Sequence, residues 1–166
     1  MPAAARRRTP ALAAIAALAL SGCAGAPTEP SSGTFISHHG AEAAAAADAE
    51  HVVERRLAAL SQPPATAQLE ALEGKIARAR RRFLAASRWE ISENGEEENT
   101  GQAETELSEG TQQMLKGLTA LRAYTVSRSP AELAEYRLRL RNARARWNQG
   151  ISQIWFLAHR RGAPTI

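Results

Sequence analysis

Leu133, Tyr136, Leu140, Ala143, Trp147, Gly150, Ile154 and Leu157 recur at alternating steps of three and four. Residues repeated at that spacing over almost four heptads fall on one stripe of a long helix, as in a bundle or coiled coil. The ends of this segment are also written in the sequence. Ser129-Pro130-Ala131-Glu132 has the pattern of a capping box with proline at the first helical position. Arg160 and Arg161 fall in the expected last turn, Gly162 can end the helix, and Pro164 prevents its return. About 32 residues at 1.5 Å each predict a rod near 48 Å long. Gly150 on the stripe would permit a close helix approach.

Three further segments read as helical. Residues 65–91 carry Leu69, Leu72, Ile76, Ala79, Phe83 and Ala86 on one stripe, with Lys75, Arg78, Arg80, Arg81 and Arg82 on the other faces. Residues 103–127 carry Leu107, Met114, Leu118 and Leu121, with Leu115 beside them. Glu104, Glu106 and Glu109 near their start favour a helix N-terminus. Residues 41–60 begin alanine-rich, with little to bury, and end with Val52, Val53, Leu57 and Leu60 before Ser61-Gln62-Pro63-Pro64. Residues 92–101 contain no apolar side chain and read as a solvated acidic loop. No segment alternates with period two. The expected fold is all-α: an antiparallel bundle of three long helices with a weaker N-terminal fourth. Lys75, Arg80 and Arg82 flank one stripe, while Arg137, Arg139, Arg144 and Arg146 flank another. These edges would repel as neighbours, so the two helices are expected on a diagonal of a four-helix bundle.

The N-terminus carries a different message. Arg6, Arg7 and Arg8 precede an unbroken apolar run, Ala11 to Leu20, and then Leu20-Ser21-Gly22-Cys23. Ten apolar residues are too few to cross roughly 30 Å of hydrocarbon, so the run reads as a processed signal. The tetrapeptide resembles the lipobox of bacterial lipoproteins, a resemblance confined to residues 6–23. It implies cleavage after residue 22, lipidation of Cys23, and an extracytoplasmic address tied to the cell membrane, or to an outer membrane where the cell has one. Without the resemblance, an ordinary secretory signal or an Ala/Arg-rich cytosolic N-terminus would account for these residues. A thiol is a good nucleophile for the alkylation that lipidation requires, and two acyl chains give stable anchoring where one is marginal. Cys23 is the sole cysteine, so lipidation would leave no thiol for a disulfide. Residues 23–39 then read as the lipidated cysteine and a flexible tether, rich in Gly, Pro, Ser and Thr, and residues 40–166 as the bundle domain.

Charge narrows the function classes. Three of the 21 basic residues lie in the leader and none of the 17 acidic ones do. The remaining chain has 18 basic and 17 acidic residues, a net of +1, so basicity is no argument for nucleic acid, and none is expected as a partner. Familiar hydrolytic machinery is hard to assemble, because Asp48 is the sole aspartate and there is no Gly-x-Ser-x-Gly elbow or His-Glu-x-x-His. His38 and His39 fall in the tether, His51 and Glu54 share a helix face only once, and His159 lies near a helix end. Glu93 to Glu98 lack the ligand order of an EF-hand. No catalytic residue, metal or cofactor is therefore assigned. The exceptional patch is Trp147, Ile151, Ile154, Trp155 and Phe156, where apolar residues wrap the helix instead of following one stripe. Such an end is either buried by two neighbours or exposed for a partner or ligand. The functional expectation is a non-catalytic, membrane-anchored module that binds another envelope protein. The alternatives are a bundle holding a small hydrophobic ligand, and an enzyme in which His51, His159 and a glutamate converge.

Overall fold

The computed structural model describes residues 31–89 and 100–166, and their regular secondary structure is entirely helical. Four α-helices follow one another: α1 Ser31–Ala58, α2 Thr66–Ala86, α3 Thr100–Ser127 and α4 Pro130–Leu157. No strand occurs among the described residues. The packing forms a ring in which α1 meets α2, α2 meets α3, α3 meets α4 and α4 meets α1. The α3–α4 interface is by far the most extensive. The two arginine-edged helices, α2 and α4, are not neighbours in this ring. They touch through the core, where Phe83 and Trp147 meet edge to face with centroids 5.2 Å apart.

The stripe of α2 is buried as its spacing demands, from Leu69 through Leu72, Ile76, Ala79 and Phe83 to Ala86. Leu107, Met114, Leu118 and Leu121 of α3 join it, as do Tyr136, Leu140, Ala143, Trp147 and Ile154 of α4. These side chains form one contiguous core with α1.

The first helix differs most from expectation. Residues 31–39, expected in the tether, form its opening turns, and Phe35 is buried. The reason is aromatic packing: Phe35 meets Trp89 edge to face at 5.6 Å, and His39 stacks on Trp89 at 5.3 Å. Nor is α1 a weak member, since at 28 residues it equals α3 and α4 while α2 has 21. Ala43, Ala46 and Ala47 are buried. They contribute little area each, but their small side chains let α1 lie close against the bundle.

Helix ends also shift. Thr100 opens α3 earlier than expected, so no acidic residue lies in its first turn. Glu106 is instead buried, and Arg146 of α4 grips both its oxygens at 2.7 and 2.8 Å. Only Arg128 and Ser129 separate α3 from α4. Ser129 sits at the N-cap and Pro130 follows it, but the Ser129 side chain makes no cap hydrogen bond. Its backbone N–H donates to Ser127 Oγ at 3.0 Å, so Ser127 serves where Glu132 of a capping box would reach back. The fourth helix ends at Leu157, before Arg160 and Arg161. His159 takes the left-handed conformation (φ 53°), its N–H donates to the Phe156 carbonyl, and Arg160 N–H donates to that of Trp155. That pair of bonds is a Schellman motif with histidine where glycine is usual.

The α3–α4 interface is tight because glycines lie where the backbones meet. A Cβ on Gly110 would stand 2.5 Å from the Trp147 nitrogen, and one on Gly150 would stand 2.6 Å from the Ala103 oxygen. At Gly117 the nearest atom would be Arg139 Cβ at 3.0 Å. Ala103, Gly110 and Gly117 are seven apart, as are Ala143 and Gly150, so small residues repeat along both helices. Helical glycine costs about 1 kcal/mol relative to alanine, and at Gly110 and Gly150 close packing outweighs that cost. Gly110→Ala should therefore destabilise the protein by about 1–3 kcal/mol in chemical denaturation, because the obstructing atoms are backbone and cannot rotate away. Gly74 in α2 has nothing within 4 Å. There the same substitution should stabilise by about 0.5–1 kcal/mol, and equal effects at the two sites would refute the packing argument.

Candidate functional site

The aromatic end of α4 is largely interior. Trp147, Ile151 and Ile154 are fully buried, and Trp155 is only 8% exposed. Phe156, at 77% exposed, is the one member of the expected surface that faces outward. Three elements cover the rest. Phe83 of α2 packs on Trp147, Gly40 of α1 lies opposite Trp155, and residues 162–166 fold back along α4. The Trp147 indole N–H donates to the Pro164 carbonyl at 2.9 Å. Asn148 clamps Ile166 through two hydrogen bonds: its amide donates to the Ile166 carbonyl, and its Oδ1 accepts from the Ile166 N–H. Sequence reasoning missed this return. The signal was Trp147 itself, since a buried indole N–H needs an acceptor.

The histidines do not converge. His51 lies in the C-terminal third of α1, whereas His159 follows the C-terminal end of α4. No group of three or more His, Cys, Asp or Glu side chains among the described residues is placed to hold a metal. Cys23, residues 24–30 and the acidic run from Glu93 to Glu98 lie outside the described residues.

A concavity lies at the other end of the described residues, where α1 ends, α2 begins, α3 ends and α4 begins. Its volume is about 710 Å³. Leu57 of α1, Leu60 just beyond it, Tyr124 of α3 and Leu133 of α4 supply apolar walls, and the 61–64 connection closes one side. Gln68 secures that connection: its Oε1 accepts from Ser61 Oγ at 2.7 Å and from the Ala65 N–H at 3.1 Å. Arg128 and Arg137 bring positive charge to the lining and Glu54 brings negative charge.

Behind Glu54 lies a buried polar cluster joining α1 to α4. Tyr136 Oη donates to Glu54 at 2.7 Å. Arg144 donates to Glu50 at 3.1 Å and to Glu54 at 3.5 Å. Glu50 is fully buried. His51 Nδ1 comes within 3.2 Å of Glu50 Oε2, yet that oxygen has no hydrogen bond. Consecutive residues on a helix point apart, so the pair meets at a poor angle. Burial pushes the Glu50 carboxyl above its ordinary value; Arg144 opposes this and Glu54 adds to it. Burial and the bond to Glu54 raise the Tyr136 hydroxyl far above its ordinary value, so it stays a donor. None of this cluster was singled out from sequence beyond the Arg-rich edge and the shared face of His51 and Glu54. A glutamate in an alanine-rich helix reads as solvent-facing until its arginine partner, 94 residues away, is placed beside it.

Comparison with protein families, with curated proteins and with solved structures finds no match.

Two substitutions test the cluster. Because the Glu50 carboxyl is raised in the folded state, its proton binds more tightly there than in the unfolded chain. Stability from that term is present at low pH and is lost as pH rises through the folded-state value. Glu50→Gln keeps an acceptor for Arg144 and removes the buried anion. It should stabilise the protein at pH 7–8, with an advantage that shrinks towards acid pH, as followed by denaturation at several pH values. Tyr136→Phe should cost about 1.5–3 kcal/mol, the range for a hydrogen bond to a charged group, with a smaller loss in a Glu54→Gln background.

Proposed function

We propose that the chain is an extracytoplasmic lipoprotein, held to a membrane through acylated Cys23. In this reading its helices form an antiparallel, up-down-up-down bundle that docks another envelope component without catalysis. The pairings that support this topology run in opposite senses along neighbouring helices. Gly110 faces Trp147 while Gly150 faces Ala103 and Leu107. Glu54 reaches Tyr136 while Gly40 faces Trp155. Glu73 pairs with Arg122 while Thr66 accepts from Arg128.

The observation that carries the functional reading is the order of elements. The lipobox cysteine lies eight residues before Ser31, and the cleft lies at the far end of α1. A helix of 28 residues rises about 42 Å. The anchor therefore sets the cleft roughly that far from the tethered end, open to partners that approach from the aqueous side. The aromatic interior gives less support to a ligand held within the bundle, because Met114 and Trp147 are fully buried in one contiguous core.

The anchor is tested by Cys23→Ala. Acyl labelling with radioactive palmitate should disappear and the protein should leave the membrane fraction; unchanged labelling would overturn the address. Docking is tested by photo-crosslinkers placed at position 137 beside the cleft and at position 104 near the opposite end. A specific envelope partner captured from position 137 alone is the expected result.

A further inference from the structure

We infer that the cleft binds an anionic amphiphile: an apolar chain ending in a carboxylate or phosphate group. This deepens the docking reading above by naming the occupant's chemistry, and it does not depend on the anchor.

Size and wall chemistry come first. A volume of about 710 Å³ lies within the range of roughly 300–1,000 Å³ typical of small-molecule sites. Leu57, Leu60 and Leu133 are only half-buried, so apolar surface borders the open space. Covering it is favourable, at about 25 cal/mol per Å².

Charge then selects the head group. Glu54 is the only carboxylate in the lining, and it is already committed to Tyr136 and Arg144. Arg137 has no ion pair or hydrogen bond among the described residues. Arg128 gives one N–H to Thr66 Oγ1 at 3.2 Å and keeps its other donors. The lining therefore holds two exposed guanidinium groups whose charge no carboxylate balances. A guanidinium presents a planar fork of donors suited to carboxylate and phosphate oxygens.

The backbone at Arg128 adds an independent observation. Its φ of 56° is left-handed, and its N–H donates to the Tyr124 carbonyl at 2.8 Å to close α3. Glycine occupies such a position at lower cost than any branched residue. A guanidinium stands here at the lip of the cleft instead.

An acyl chain suits the walls better than a peptide does. The lining joins helix to the 61–64 connection, where Pro63 and Pro64 have no N–H and the Ser61 and Ala65 N–H groups already donate to Gln68 Oε1. An entering peptide would lose water from its own amides and find few partners. A hydrocarbon chain makes no such demand.

The test uses the mature chain in solution with dodecanoate and dodecyl phosphate, each below its micellar concentration, followed by calorimetric titration. Dodecylammonium is the cationic comparison, and butyrate and inorganic phosphate are the chainless ones. Saturable 1:1 binding of the long-chain anions is expected, with at least tenfold weaker binding of the other three probes. The tighter of the two anions distinguishes a fatty acid from a phosphorylated lipid as the source of the head. Arg137→Gln should weaken binding about tenfold. Arg128→Gly should raise the melting temperature by relieving the left-handed residue while also weakening binding, which separates affinity from folding. Equal binding of dodecylammonium, or undiminished affinity in both arginine variants, would overturn the inference. If no amphiphile binds while position 137 crosslinks one defined envelope protein, this inference fails and the docking reading stands.

Discussion

The backbones of α3 and α4 approach closely at Gly110 and Gly150, leaving no room for a methyl group at either position. Much of the fold follows from that proximity. Two helices joined by only two residues must lie side by side, and the glycines allow them to do so without large side chains between them. Trp147 is thereby held against α3 on one side and projects towards Phe83 on the other. Its position lets α2 enter the core without being a neighbour of α4. The pair thus acts as a platform, with α1 and α2 closing over its inner face.

Charge decides which helix fills which place around that platform. Arg144 turns to Glu50 and Glu54 of α1, and Arg146 turns to Glu106 and Glu109 of α3. Arg144 and Arg146 are therefore each matched, one on either flank of α4. Against α2, which carries Arg78, Arg80, Arg81 and Arg82, either flank would have met like charge. The matched pairs on exposed flanks contribute little stability individually, but the penalty for a wrong neighbour makes them selective. Buried Glu50 is the costly member, since burial opposes its charged form and, among the described residues, only Arg144 donates a hydrogen bond to it.

Long apolar stripes were legible in the sequence because they repeat. Every buried position of α2 could be named from its spacing, and the diagonal relation of α2 to α4 followed from their charges. Features carried by small or singular residues were not legible. Alanines in α1 read as a poor core, because side-chain size is visible in a sequence and the distance of helix approach is not. Gly110 and Gly117 escaped notice because their contribution is the absence of a side chain. The cleft could not be seen at all: Leu60, Tyr124, Arg128 and Leu133 come together only when the ends of α1, α3 and α4 meet beside the 61–64 connection. The aromatic run near residue 155 drew attention as a surface, yet the folded-back tail and Phe83 help enclose it. Its exposed remnant is Phe156.

The aromatic residues are also sorted by location along the bundle. The three tryptophans, Trp89, Trp147 and Trp155, gather towards the end where α1 begins, and the two tyrosines, Tyr124 and Tyr136, lie towards the cleft. The two ends therefore carry different natural chromophores. Indole emission reports the tail-covered end, and tyrosine signals report the end that carries the cleft. Without any added label, light absorbed by the native chain can show whether the two ends loosen together or separately.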